Sequence, residues 1–166
     1  MVVTILLTII LMILFFLMEL VASAFYPHPF VIDYFPEDVK ERAKNHKPPF
    51  ASAPIIGWAL LILIMAGFIG CFIYAGADGI QRDYGYGQFF VRFLIMGYGL
   101  KAFDILFFDY FILTKTRFFQ HFYPETDGCE GWKQFGYNRK EQVKQLISFF
   151  PCMAVSALIC YMLGAR

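Results

Sequence analysis

The chain has 166 residues, of which 59% are apolar or aromatic and only 16% charged, with 21 phenylalanines and a mean hydropathy of +0.58. A soluble domain of this size lacks the interior volume to hide so much apolar surface, so composition points to an all-α integral membrane protein in a lipid bilayer. The net charge of +1 provides no basic face to neutralise phosphates, which excludes nucleic acid as a partner.

A spanning helix needs about 20 mostly apolar residues, and four segments meet or approach that length: residues 1–25, 55–77, 89–112 and 146–163. The first is apolar to Met18 and then carries Glu19. Its rival reading is a signal peptide cleaved near "VASAF" at 21–25, which the lack of Lys or Arg ahead of the run and the length of the run disfavour. No soluble linker or repeat interrupts the chain, which reads as a single membrane domain over 1–166.

Between the first two segments, "DYFPEDVKERAKNHKPP" predicts a short helix. Pro36 stands at its first position, Glu37 and Asp38 in its first turn, Lys44 and Lys47 near its end, and Pro48 and Pro49 stop it. Between the third and fourth, "TRFFQHFYPETDGCEGWKQFGYNRK" interleaves aromatic and polar residues. Phe118, Phe119, Phe122, Tyr123, Trp132, Phe135 and Tyr137 suit the headgroup level of a bilayer, so this loop is expected to be interfacial. Asn138, with Glu141 three residues on, is placed to cap the last helix.

These two connections also carry the basic residues. Lys40, Arg42, Lys44 and Lys47 lie in one, and Lys115, Arg117, Lys133, Arg139, Lys140 and Lys144 in the other. The 78–88 turn has Arg82 and the C-terminus Arg166. With four spans both basic loops fall on one side, which the positive-inside rule makes cytoplasmic, with both termini outside a plasma membrane.

Known chemical motifs are lacking. "GYGLKA" at 97–102 matches a dinucleotide fingerprint only on paper, because it lies in mid-span rather than after a strand. "GYG" at 85–87 and 97–99 lacks the Thr-Val and pore helix of a potassium filter. Cys71, Cys129, Cys152 and Cys160 form no C-x-x-C pair, so no metal, cofactor or disulfide framework is assigned.

What stands out is "GLKAFDILFFDYF", which places Lys101, Asp104 and Asp109 in an apolar third span. At α-helical spacing Lys101 lies roughly 60° from Asp104 and 80° from Asp109, and Tyr98 within about 20° of Asp109, all on one side. Arg92 points the other way, one turn from the outer end, where it can snorkel to water. A charge at the bilayer centre costs about 2.5–3.5 kcal/mol, so these groups need partners. Lys101 is expected to pair with Asp104 and to face the stripe of Ser148, Cys152, Ser156 and Cys160 on the fourth span. Ala66 and Gly70 on the second span, with that stripe on the fourth, offer faces for a homo-oligomer or another membrane partner.

Two functional readings follow. In the first, Tyr98, Lys101, Asp104 and Asp109 form a buried polar face that binds an ion or solute, or holds an assembly together. In the alternative, the chain is a membrane-embedded enzyme using Glu19, Asp109 and His121, with His28 as a further acid–base or metal-binding group.

Overall fold

The computed structural model describes residues 1–25 and 35–165, and every secondary-structure element among them is helical. In chain order these are α1 (Val2–Phe25), α2 (Glu37–Ala43), α3 (Ala53–Gln81) and α4 (Tyr86–Phe103), then a π-helix (Asp104–Ile112). After it come α5 (Leu113–Lys115), α6 (Phe118–Phe122), two 3-10 turns (Pro124–Thr126 and Glu130–Lys133) and α7 (Arg139–Gly164). Three helices, α1, α3 and α7, are long and apolar enough to cross a membrane. The segment expected as a further span is divided between α4, which carries Arg92 and Lys101, and the π-helix that follows it.

The short helix predicted from its terminal signals is α2. The backbone N–H groups of Val39 and Lys40 donate to the Pro36 carbonyl at 3.0 and 2.9 Å. The last helix starts at Arg139, next to the expected cap, but the buried Asn138 Oδ1 accepts no hydrogen bond among the described residues. Its amide is used elsewhere, as described below.

The chain packs as two compact units. One comprises Met1–Phe15, Met65–Phe103 and Lys140–Arg166; the other comprises Phe16–Ile64 and Asp104–Arg139. In the first, Leu7, Leu11, Cys71, Ala75, Phe89, Phe93, Met96 and Ala157 form the core. Helices approach closely where a side chain is missing. A Cβ on Gly79 would stand 2.3 Å from Phe89, and one on Gly99 would stand 2.8 Å from the Thr8 methyl. The second "GYG" copy lies wholly within α4 and Tyr86 and Gly87 of the first open it, while Gly97 and Gly99 are points of close packing against Met153 and Thr8.

In the second unit, the Phe16 ring of α1 lies 6.1 Å from Phe107 and 6.0 Å from Phe108 of the π-helix, and 6.4 Å from Phe118. Three of the aromatics of the 113–145 connection fold against Phe35 of the other connection. Phe35 packs edge-on against Phe119, Tyr123 and Trp132, with centroids 5.0–5.5 Å apart, and all four are buried. Edge-to-face ring pairs add about 0.5–1.5 kcal/mol beyond the area they bury, which favours this small core. Phe135, 55% exposed, remains outward.

Candidate functional site: a carboxylate cluster on a π-helix

The local geometry of "DILFFDYFI" decides how its two aspartates are arranged. At α-helical spacing positions five apart diverge by roughly 140°. A π-helix closes i→i+5 and so lays such positions nearly over one another. Asp104 opens this π-helix and Asp109, five residues on, is the sixth of its nine residues, so at the wider turn the two positions share one face. Where the winding returns to α, the Thr116 hydroxyl donates to the Ile112 carbonyl at 2.6 Å, and Thr114 likewise to Tyr110.

Other groups of the same unit converge there. Glu19 of α1 lies within the electrostatic field of both Asp104 and Asp109. Asn138 Nδ2 donates to Asp109 Oδ2 at 3.2 Å, which is where the expected cap residue directs its amide. The Tyr137 phenol is held well above the usual tyrosine range, first by burial and then by the charges of Asp109, Glu19 and Asp104. It therefore stays a neutral hydroxyl, able to donate to carboxylates.

A second phenol stands at the border of this cluster. Tyr123 is fully buried (0% exposed), and its hydroxyl has no hydrogen-bond partner among the described residues. Burial pushes its pKa up, followed by the charges of Glu125 and Glu19. Its ring lies tilted by 55° against that of His46, with centroids 4.7 Å apart, and His46 Nδ1 is 2.7 Å from Glu125 Oε1.

The folded loop fixes these groups. Asp38 of α2 accepts from the Gly131 N–H at 2.8 Å, the Arg42 guanidinium donates to the Asp127 carbonyl at 3.2 Å, and Trp132 Nε1 donates to Thr126. Gly131 has to be glycine, because a Cβ there would stand 2.1 Å from Asp38 Oδ1. Cys129 is buried beside Asp38, and burial pushes its thiol up, which leaves it an inert packing group.

Lys101 and Tyr98 sit in the first unit, where they join α4 to α7. Lys101, 5% exposed, donates to Gln145 Oε1, and the Tyr98 hydroxyl donates to the Leu146 carbonyl at 2.8 Å. The two helices do pack on one another, but not through the expected stripe. Met153 lies against Gly97, and the Phe150 ring is 5.4 Å from Phe90. Ser148 and Cys152 are exposed. The Ser148 and Ser156 hydroxyls donate back to their own helix, to the Gln145 and Cys152 carbonyls. A serine satisfied within its own helix has no need of a cross-helix partner. Cys160 instead meets α3 at Gly76.

Arg92 is the residue that sequence reasoning placed wrongly. It does not snorkel to water; it is 2% exposed and donates to the Ala75 carbonyl at 2.6 Å, to Asp78 Oδ2 at 2.8 Å and to the Tyr84 hydroxyl at 3.0 Å. Its guanidinium also lies 4.5 Å from the Tyr84 ring centroid. Arg82 holds the other oxygen of Asp78 at 2.9 Å. The available signal was Asp78 with Arg82 four residues on, in a helix end otherwise poor in charge.

His121 is exposed and lines an open depression of about 300 Å³ with Arg117, Gln120, Pro124 and Asp127. His28 and Arg166 lie outside the described residues. Among the described residues no three His, Cys, Asp or Glu side chains converge as ligands for a metal ion. Comparison with protein-family models, curated proteins and solved structures finds no match for this chain.

Proposed function

We propose that this chain is a four-span plasma-membrane protein that binds and passes a proton at the Glu19–Asp104–Asp109 cluster. The observation that carries this reading is the π-helix, which places Asp104 and Asp109 on one face within the field of Glu19. Segments of π-helix are uncommon and frequent at functional sites. Carboxylates inside a membrane are costly, and their usual use is an ion pathway or proton relay. The basic residues of the two long connections favour a cytoplasmic location for both, with the termini outside. On that threading the cluster lies in the cytoplasmic half of the bilayer.

Lys101 and Tyr98 then serve assembly, because their hydrogen bonds to Gln145 and Leu146 tie α4 to α7. The test is an infrared titration of the full chain in phosphatidylcholine nanodiscs. Carboxyl absorption is expected to respond to pH, and this response should disappear in Glu19→Gln combined with Asp109→Asn. A carboxyl signal identical in wild type and double variant contradicts the assignment.

A further inference from the structure

Apart from the carboxylate cluster, we infer that the depression on the 113–145 connection binds a phosphoethanolamine group, with Arg117 and His121 on its phosphate and Asp127 on its ammonium. The depression measures about 300 Å³ and is lined by Arg117, Gln120, His121, Pro124 and Asp127. That volume is at the lower end for small-molecule sites and suits a headgroup rather than a larger ligand. Arg117 stands two residues past the end of α5, which continues the apolar third segment. At that end the Lys115 ammonium lies 5.4 Å from the Tyr110 ring centroid, a pairing suited to the boundary of a bilayer.

The backbone holds these side chains in place. The His121 N–H donates to the Arg117 carbonyl at 3.1 Å, so the two side chains stand one helical turn apart on the same face. The Asp127 N–H donates to the Pro124 carbonyl at 3.2 Å, and the Asp127 carbonyl accepts from Arg42 at 3.2 Å. Between the lining residues in sequence, Phe119, Tyr123 and Thr126 are buried and anchor the segment. Arg117 Nη2 donates to the two Asp127 carboxylate oxygens at 3.2 and 3.4 Å. Their side chains are 81% and 54% exposed, and an ion pair so open to water is weak, so a ligand can engage either partner.

The charges of the lining select the ligand. A guanidinium matches phosphate oxygens, and an imidazole has an N–H to donate in either protonation state, with the Gln120 amide as a further donor. The Asp127 carboxylate repels a bare phosphate and accepts from an ammonium. A group carrying both charges satisfies both sides. Ethanolamine brings N–H donors for Asp127. Choline brings none, and its quaternary ammonium is recognised by aromatic faces; among the described residues no Phe, Tyr or Trp lines the depression. The phosphoethanolamine group can arrive on a membrane lipid or as a soluble ester.

The test is native mass spectrometry of the full chain in detergent, titrated with dioleoylphosphatidylethanolamine, dioleoylphosphatidylcholine and dioleoylphosphatidic acid, with soluble glycerophosphoethanolamine as competitor. The ethanolamine lipid is expected to bind tenfold or more tightly than either of the others. Asp127→Asn, which keeps the backbone carbonyl that Arg42 holds, should erase the preference over the choline lipid. Arg117→Gln should weaken the ethanolamine lipid tenfold or more, and both variants should unfold thermally as wild type does. Competition by glycerophosphoethanolamine supports recognition of the headgroup alone; a lipid preference without competition supports recognition of the group on a lipid. Equal affinity for the ethanolamine and choline lipids in wild type, or a preference that survives Asp127→Asn, overturns the site and leaves the carboxylate cluster standing.

Discussion

The guanidinium of Arg92 on α4 and the carboxylate of Asp78 near the end of α3 form a buried ion pair at 2.8 Å. Removing one partner of such a pair strands the other charge, which costs about 3–5 kcal/mol, whereas apolar replacement of both is often neutral. Arg92→Met is therefore expected to destabilise the protein strongly, and Arg92→Met with Asp78→Leu to recover most of the loss. Thermal unfolding in detergent checks this. Arg82→Ala, on the exposed partner, should have a far smaller effect.

Close helix approach makes a graded prediction. Gly79→Ala sets a Cβ 2.3 Å from Phe89, a ring that cannot yield easily, and should cost about 1–3 kcal/mol. Gly70→Ala meets nothing within 4 Å and should be neutral, or stabilising by up to about 1 kcal/mol through helix propensity. Equal effects at the two positions in the same unfolding assay would contradict the packing described.

Much of this fold was legible because hydropathy runs and helix signals are local. α1, α3 and α7 follow from apolar length, and α2 from Pro36 and its acidic first turn, although it ends at Ala43, ahead of the expected stop at Pro48. The burial of Phe119, Tyr123 and Trp132 was not legible, since it depends on Phe35, more than eighty residues distant in sequence. The burial of Arg92 was hidden for the same reason: its acceptors, Asp78 and the Ala75 carbonyl, lie on another helix. The cluster was half-visible. Asp104, Asp109 and Glu19 announced themselves as charges in apolar runs, but an α-helical wheel could not anticipate the π-helix that aligns the first two.

Tyr137 gives a pH test with a definite sign. Its folded-state pKa is raised above the unfolded value, so the unfolded chain loses that proton first as pH rises. The stability it contributes is complete below about pH 10 and declines above it. In an alkaline absorbance titration of the folded protein, Tyr137→Phe should superimpose on wild type near pH 10, approximately where exposed tyrosines ionise. Loss of one phenolate there would show Tyr137 to be unshielded.

The threading predicts sidedness. In a background without native cysteines, Lys133→Cys, on an exposed loop residue, should react with an impermeant thiol reagent only from the cytoplasmic side. Gln81→Cys, at the exposed end of α3, should react only from outside. The opposite pattern would invert the topology and move the cluster to the outer half of the bilayer.

Flux through reconstituted liposomes tests the central proposal most directly. With the purified chain in phosphatidylcholine vesicles and a fluorescent pH indicator inside, an imposed H⁺ gradient is expected to dissipate faster than in protein-free vesicles. Asp109→Asn should reduce that rate tenfold or more while thermal unfolding shows the variant still folded. Wild-type vesicles no leakier to protons than empty ones, or a folded Asp109→Asn with full flux, would contradict it.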